Sequence, residues 1–290
     1  MLKISTETHM LNKLVGEEKA IRMLAEAGFD CYDLSLFSMA PTDWKAKTVI
    51  KGEHPLQGDG YRAFVEGLRR VADECGITCN QSHAPFPSHF EGMFEYLERA
   101  IECTAIAGGK VCVIHPVNND DAETNAEMYR RLLPTAKRFG VKIATENMWN
   151  WNRETNEAAP AACSHHDDFV AHVDAVNDPY LVACVDVGHA EMRGLDTDSY
   201  TMIKALGHRV QALHLHDNDK HLDSHAIPFS MDIDFDSIAR ALAEIDYRGE
   251  ITLEPDHALD GVATEDLPAA VKKLADAAHK IAEMVEAYRK

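Results

Sequence analysis

With 290 residues, 46% of them hydrophobic, the chain has the length of one large domain or two average ones and ample apolar content for a core. Its net charge of −19, from 48 acidic and 29 basic residues, opposes non-specific attachment to phosphate backbones, where affinity comes mostly from Lys and Arg. No apolar run approaches a membrane span, and no low-complexity or disordered segment stands out.

Predicted strands and amphipathic helices alternate along the whole chain. LKIST opens strand 1, and EEKAIRMLAEAG is a helix with Ile21, Leu24 and Ala25 on one face and Gly28 as its stop signal. FDCYDLSL is strand 2, followed by a long loop over roughly 36–59 that carries Trp44 and His54. A helix near 60–75 leads to strand 3, ITCNQSH, which ends at His83. Phe94, Leu97, Ile101 and Ala105 recur at helical spacing in the next helix, near 91–107, and Gly108-Gly109 ends it. Strand 4, KVCVIH, runs to His115, and a helix near 123–139 leads through Gly140 to strand 5, VKIATE, ending at Glu146. A second long loop, NMWNWNRETNEAAPAACSHH, precedes a helix near 167–176 and strand 6, LVACVD, ending at Asp186. A helix near 197–206 stops at Gly207 before strand 7, VQALHLH, which ends near His214. A helix near 235–245 leads to strand 8, ITLE, ending at Glu254, and a last helix near 264–288 closes the order.

Eight strand–helix units predict a single (β/α)8 TIM-barrel domain over 1–290. The competing doubly wound sheet usually carries a Gly-rich turn after its first strand, where this chain has only TETHMLNKLVG. The seven cysteines are scattered, with no CxxC, and read as buried free thiols in a reducing compartment. The opening MLKISTETHMLNKL lacks the charged-then-apolar pattern of a signal peptide, so a cytoplasmic location is expected.

In such a barrel the site lies at the carboxyl ends of the strands, and there the sequence places His83, His115, Glu146, Asp186, His214 and Glu254, with Asp223 beyond strand 7. Polar groups at the ends of buried strands are costly unless something binds them, and a divalent metal would satisfy them. Glu146, Asp186, His214 and Glu254, from four consecutive strands, make a ligand set suited to Mn2+, Co2+ or Zn2+. His214 and His216 share one face of strand 7, because strand side chains alternate; either can be the ligand, and His214 is preferred. Asp223 and His225 form a D-x-H pair in the following loop, and His189 follows Asp186 by three residues, as a ligand, a donor to substrate oxygen or a pinned loop residue. Trp149 and Trp151 follow Glu146 and could stack on the C–H face of a sugar.

The motifs QSHAPF, VIHP, ATENMW, CVDVGHAEM, HLHDND, DSH and TLEP together resemble the xylose isomerase-like barrel superfamily, over about residues 77–256. That superfamily joins sugar and sugar-phosphate isomerases and epimerases with endonuclease IV-type nucleases. The epimerase branch implies one metal, commonly Mn2+, on Glu146, Asp186, His214 and Glu254. It also implies that Glu146 and Glu254 act as the acid/base pair on an enediolate; the reading of the residues adds His189, His216 and Trp149 at the substrate. The nuclease branch implies up to three zinc ions on His83, His115, Glu146, Asp186, His189, His214, Asp223, His225 and Glu254. The expected cofactor is therefore a divalent metal, Mn2+ or Zn2+, one to three ions. The expected partner is a small-molecule sugar; a homo-oligomer stays open, and a membrane is not expected. The charge and the loop HAPFPSHFEG, without Arg, Lys or Tyr, speak against nucleic acid.

Overall fold

The computed structural model describes residues 1–290 as a closed ring of eight parallel strands with helices outside. The strands are β1 (Ile4–Thr6), β2 (Cys31–Ser35), β3 (Thr78–His83), β4 (Val111–Val113), β5 (Lys142–Glu146), β6 (Leu181–Asp186), β7 (Val210–His214) and β8 (Ile251–Leu253). Strands β2 to β7 form one continuous sheet, and β1 pairs with β8. The ring closes through the Glu7–Asp33 bridge between β1 and β2 and the Leu215–Leu253 bridge between β7 and β8. Closure excludes the open doubly wound sheet. The outer ring holds α1 (Glu17–Ala27), α2 (Tyr61–Cys75), α3 (Met93–Ala107), α4 (Ala122–Phe139), α5 (His166–Val176), α6 (Ser199–Leu206), α7 (Phe235–Glu244) and α8 (Leu267–Tyr288). No helix is long and apolar enough to cross a membrane.

Period-two alternation sorts every strand into an outer and an inner row. Outward residues such as Leu34, Cys112, Ile143, Val185, Leu213 and Leu253 join the large apolar cluster between strands and helices. Inward residues Val111, Val113, Ala144, Val182, Cys184 and Ala212 form a small separate cluster inside the ring. These buried inner side chains pack against one another in the lower barrel, and the same rows continue upward into Glu146, Asp186 and His214. The alternation that keeps Ala144, Cys184 and Ala212 inside therefore aims those three polar residues at the mouth.

The structure adds short elements within the predicted loops. A short helix, His9–Val15, precedes α1, and another, Val187–Ala190, follows β6. The long loop after β2 contains the two-stranded pairing Thr42–Asp43 with Thr48–Val49, and the loop after β5 contains Asn150–Asn152 with Glu157–Ala159. Strand β4 stops at Val113 rather than His115. Ile114 N–H still reaches Ala144 O at 2.9 Å, but Pro116 has no N–H to continue the ladder. All seven cysteines are free, six of them buried.

Acidic side chains also point inward from β1 and β2, which the sequence reading did not single out. Glu7 is buried, its Oε2 accepts from His9 N–H at 2.5 Å, and its Oε1 has no partner. Burial, followed by the nearby charges of Asp256 and Asp33, raises its pKa well above the ordinary carboxyl value. A group protonated in the folded state and ionised in the unfolded one costs stability as pH rises above the unfolded pKa, until the folded pKa is passed. Glu7→Gln should therefore stabilise the fold at pH 7 but not near pH 4. The gap should widen by up to about 1.4 kcal/mol per pH unit between those limits. Urea midpoints of both proteins across this range test it; a pH-independent gap would contradict it.

Candidate metal centre and substrate cavity

At the carboxyl end of the ring, strand ends and the loops after them bring nine acid and imidazole groups, plus His216, around one cavity. On one side lie His83, His115, Glu146, His214 and Glu254. His115 Nε2 is 3.0 Å from His83 Nε2 and 3.2 Å from Glu146 Oε2. His83 Nε2 stands 3.7 Å from both Glu146 Oε2 and Glu254 Oε1. His214 Nδ1 lies 2.8 Å from Glu146 Oε1 and 3.5 Å from Glu254 Oε1. On the other side, His216 Nε2 is 3.1 Å from Asp186 Oδ1 and 3.6 Å from Asp223 Oδ1. His189 Nε2 and His225 Nε2 each lie 3.2 Å from Asp223 Oδ2. Of the sequence-derived quartet, Glu146, His214 and Glu254 meet directly, whereas Asp186 sits across the site with His216. The two strand-7 histidines thus serve different halves of the site.

Backbone carbonyls set the histidine tautomers. Nδ1–H of His83 donates to Ala84 O at 3.0 Å, that of His189 to Asn147 O at 2.8 Å, and that of His225 to Glu254 O at 2.9 Å. A carbonyl can only accept, so the proton must sit on Nδ1, and Nε2 of all three faces the cavity. This is the orientation outer partners give to metal-ligating histidines. Opposite them, Glu146 Oε2, Asp186 Oδ2 and Asp223 Oδ1 are buried without a hydrogen-bond partner. Partnerless carboxylate oxygens beside inward imidazole nitrogens fit a divalent cation by donor type and by arrangement.

Without a cation, the site balances its own charges. Burial disfavours an ionised Glu146, but His214 and His115 hold its carboxyl well below the ordinary range. Burial, with repulsion from Glu146, Asp256 and Asp186, drives Glu254 the other way, well above it, against the pull of His214. Asp186 is held down to about 2: burial opposes this, and His189 and His216 outweigh it. Burial also opposes charge on His189 and His225, yet Asp186 and Asp223 lift His189 to about 10, and Asp223 lifts His225 to about 9. His83 is pushed well below the imidazole range, by burial first and by His115 second.

Outer groups, two of them unremarked in the sequence, fix these side chains. Asp33 Oδ2 accepts from Gln81 Nε2 at 2.7 Å and lies 3.2 Å from His214 Nε2, so it orients the ring facing Glu146. A charged residue inside the apolar run FDCYDLSL was the available signal for Asp33. Asn147 clamps the ends of β5 and β6, accepting from Asp186 N–H and donating to Asp186 O, both at 2.8 Å. Asp186 also caps the short helix that carries His189, accepting from His189 N–H at 2.7 Å.

Gly188, between Asp186 and His189, has no room for a side chain: a Cβ there would overlap the His216 ring. Gly188→Ala should displace His216 and cost about 1–3 kcal/mol of stability. The variant should bind less divalent metal per chain, read by elemental analysis beside thermal unfolding. Wild-type metal content and midpoint would contradict this packing.

The central cavity measures about 250 Å³ and is lined by His83, His115, Glu146, His189, His225 and Glu254, with Asp223 and Asp256. Phe37, Phe86, Met148 and Trp149 form its apolar walls. Trp149 donates from Nε1 to Asp223 Oδ2 at 3.2 Å, so its ring is held at the cavity wall. Trp151 instead packs near His221 and the loop cluster of Ala158, Met192 and Leu195. Phe37 and Asp256 carried no sequence pattern that marked them.

The family model for the xylose isomerase-like TIM barrel matches residues 21–285. An uncharacterized protein of Methanocaldococcus jannaschii, MJ1311, is 24% identical over 266 residues, covering 86% of this chain and 82% of that one. Among solved structures, a D-tagatose 3-epimerase-like protein superposes with a TM-score of 0.73 at 19% identity, covering 99% of each chain. The IOLI protein with a bound zinc atom superposes with a TM-score of 0.69 at 15% identity, also covering 99% of each.

Proposed function

The chain belongs to the xylose isomerase-like TIM barrel family, and from that premise we propose that it is a divalent-metal-dependent isomerase or epimerase of a small sugar. The observation that carries this reading is the convergence of inward imidazole nitrogens and partnerless carboxylate oxygens at one cavity in the mouth of the ring. The solved relatives named for epimerase activity and for bound zinc point the same way.

Glu146, His214 and Glu254 would hold one ion, with Asp186, the fourth member of the sequence-derived set, facing them from the His216 side; His83 and His115 on one side, and His189, Asp223 and His225 on the other, could hold up to two more. Mn2+ and Zn2+ both suit this nitrogen and oxygen set. A cation there supplies stabilisation of the oxygen charge that develops when a proton leaves the carbon beside a carbonyl. The chain's own residues do the rest. Glu146 and Glu254, from β5 and β8, flank the cavity and exchange the proton with the substrate carbon. Removal by one and return by the other from the opposite face gives epimerisation; return to the neighbouring carbon gives isomerisation. His189 orients a substrate oxygen and the Trp149 ring covers the sugar's C–H face, while His216, buried behind the cavity wall, positions Asp186 rather than touching substrate. Neither Lys nor Arg lines the cavity, which favours an unphosphorylated sugar over a sugar phosphate. Metal-loaded protein incubated with a panel of ketoses and aldoses in heavy water should place deuterium next to the carbonyl of at least one. Absence of exchange across the panel, with metal bound, would refute the assignment.

A second reading, a three-zinc phosphodiesterase acting on abasic DNA, draws on the chelating groups His83–His115–Glu146 and His189–His216–Asp223–His225 on either side of the site. The net charge of −19 and the cavity without cationic walls oppose it. Cleavage of an abasic duplex by protein carrying three zinc ions would reverse the preference.

A further inference from the structure

Beside the central cavity lies a second chamber of about 350 Å³ that shares Phe86, His115 and Met148 with it. Its chemistry differs from that of the metal centre. No Asp, Glu, Lys or Arg lines it. Its floor and walls are apolar, from Phe86, Pro87, Pro116 and Val117, and the indole of Trp44 stands at its outer edge.

Three amides complete it: Asn118, Asn119 and Asn150. They brace one another and the loops, since Asn118 Nδ2 donates to Trp149 O at 3.1 Å, and Asn150 Nδ2 to Asn119 Oδ1 at 3.0 Å and to Pro160 O at 2.9 Å. These bonds leave the side-chain oxygens Oδ1 of Asn118 and Asn150 and the Asn119 Nδ2 amino group without a protein partner. A chamber with one apolar, partly aromatic side and unspent neutral donors and acceptors matches a hydroxylated ring, which has C–H faces and an equatorial rim of hydroxyls. A phosphate or carboxylate would find no Lys or Arg there, only the imidazoles of His89 and His115.

We propose that this chamber is a subsite for a neutral glycosyl substituent, so that the preferred substrate is a keto-sugar carrying a second sugar unit rather than a free or phosphorylated monosaccharide. This rests on the sugar isomerase or epimerase reading of the central cavity. The reacting sugar occupies the metal side, and the glycosidic link passes between Phe86, His115 and Met148. Trp44 is 64% exposed, so the chamber opens to solvent and sets no limit on a longer substituent.

The test compares kcat/KM of the metal-loaded enzyme on a keto-hexose, its 6-phosphate and a disaccharide containing the same keto-hexose. The disaccharide should be preferred at least tenfold over either monosaccharide. Trp44→Ala and Asn119→Ala should each lower the ratio of disaccharide to free-sugar kcat/KM at least fivefold. Equal use of free sugar and disaccharide, or a ratio unmoved by both variants, would overturn the subsite while leaving the central reaction standing. If no carbonyl sugar exchanges a proton at all, the reading of the central cavity falls, and the chamber is judged by saturation-transfer NMR with trehalose. Trehalose contact that is lost in Trp44→Ala then supports the subsite, and no contact with the unaltered protein overturns it.

Discussion

Glu146→Gln should cut turnover by about three orders of magnitude while leaving the barrel folded, within the range that positioned acid–base groups contribute. Glu146 is the residue on which the site's contacts concentrate: His214 Nδ1 at 2.8 Å on one oxygen, and His115 Nε2 at 3.2 Å with His83 Nε2 at 3.7 Å on the other. It is buried yet lines the cavity, so its carboxylate faces the substrate space. Glutamine keeps the shape and can still accept a hydrogen bond from His214, which preserves the fold, but it cannot take a proton from carbon. Glu254→Gln should behave similarly, and its main chain would still accept from His225 Nδ1–H through the Glu254 carbonyl. Initial rates, with circular dichroism as the control for folding, decide the matter. A Glu146→Gln enzyme retaining more than about a tenth of wild-type turnover would remove this residue from the proton transfer.

Divalent metal should be the largest single stabiliser of the protein. At a thousandfold excess over its dissociation constant, a ligand of the folded state adds about 4 kcal/mol, which for a chain of this size raises the unfolding midpoint by roughly 10 °C. Chelator should reverse the shift. The gain is large here because the site without metal holds partnerless buried carboxylate oxygens. The pH dependence has a definite sign. Without metal, His189 and His225 titrate near 10 and 9, so both carry a proton at neutral pH and must lose it from Nε2 to bind a cation. Affinity should therefore fall as pH falls, and binding at pH 7 should release protons, seen as a dependence of calorimetric heat on the buffer's ionisation enthalpy. Proton-neutral binding would show that these two histidines are not ligands. Elemental analysis of protein purified without chelator gives the number of ions, which separates a single-metal isomerase or epimerase from the three-zinc reading.

Much of the molecule was legible in the residue order because its signals are local. Apolar runs such as LVACVD and VQALH alternate with helical periodicity in segments such as EEKAIRMLAEA, and glycines mark the helix ends. Eight such units have few ways to bury all their strands, so the barrel followed. The strict two-residue period then put Glu146, Asp186 and His214 on the same inner face as Ala144, Cys184 and Ala212. Nothing local specified how the groups share out once they meet. That His214 turns to Glu146 and Asp33 while His216 turns to Asp186 depends on side-chain packing across the ring, between residues more than a hundred positions apart in the case of Asp33. His115 reaches the site from a loop rather than a strand because Pro116 ends the ladder, and Asp33 and Glu7 are buried inside the ring, from β2 and from just beyond β1, where a lone acid gives no local sign of what it faces. The second chamber likewise joins residues from four separate loops, with Trp44, Phe86, Asn118 and Asn150 among them. Residue order fixes which chemistry is available and on which face of each strand it sits. Closure of the ring decides which groups touch, because contacts between distant strands depend on barrel stagger and loop packing that no short window of sequence contains.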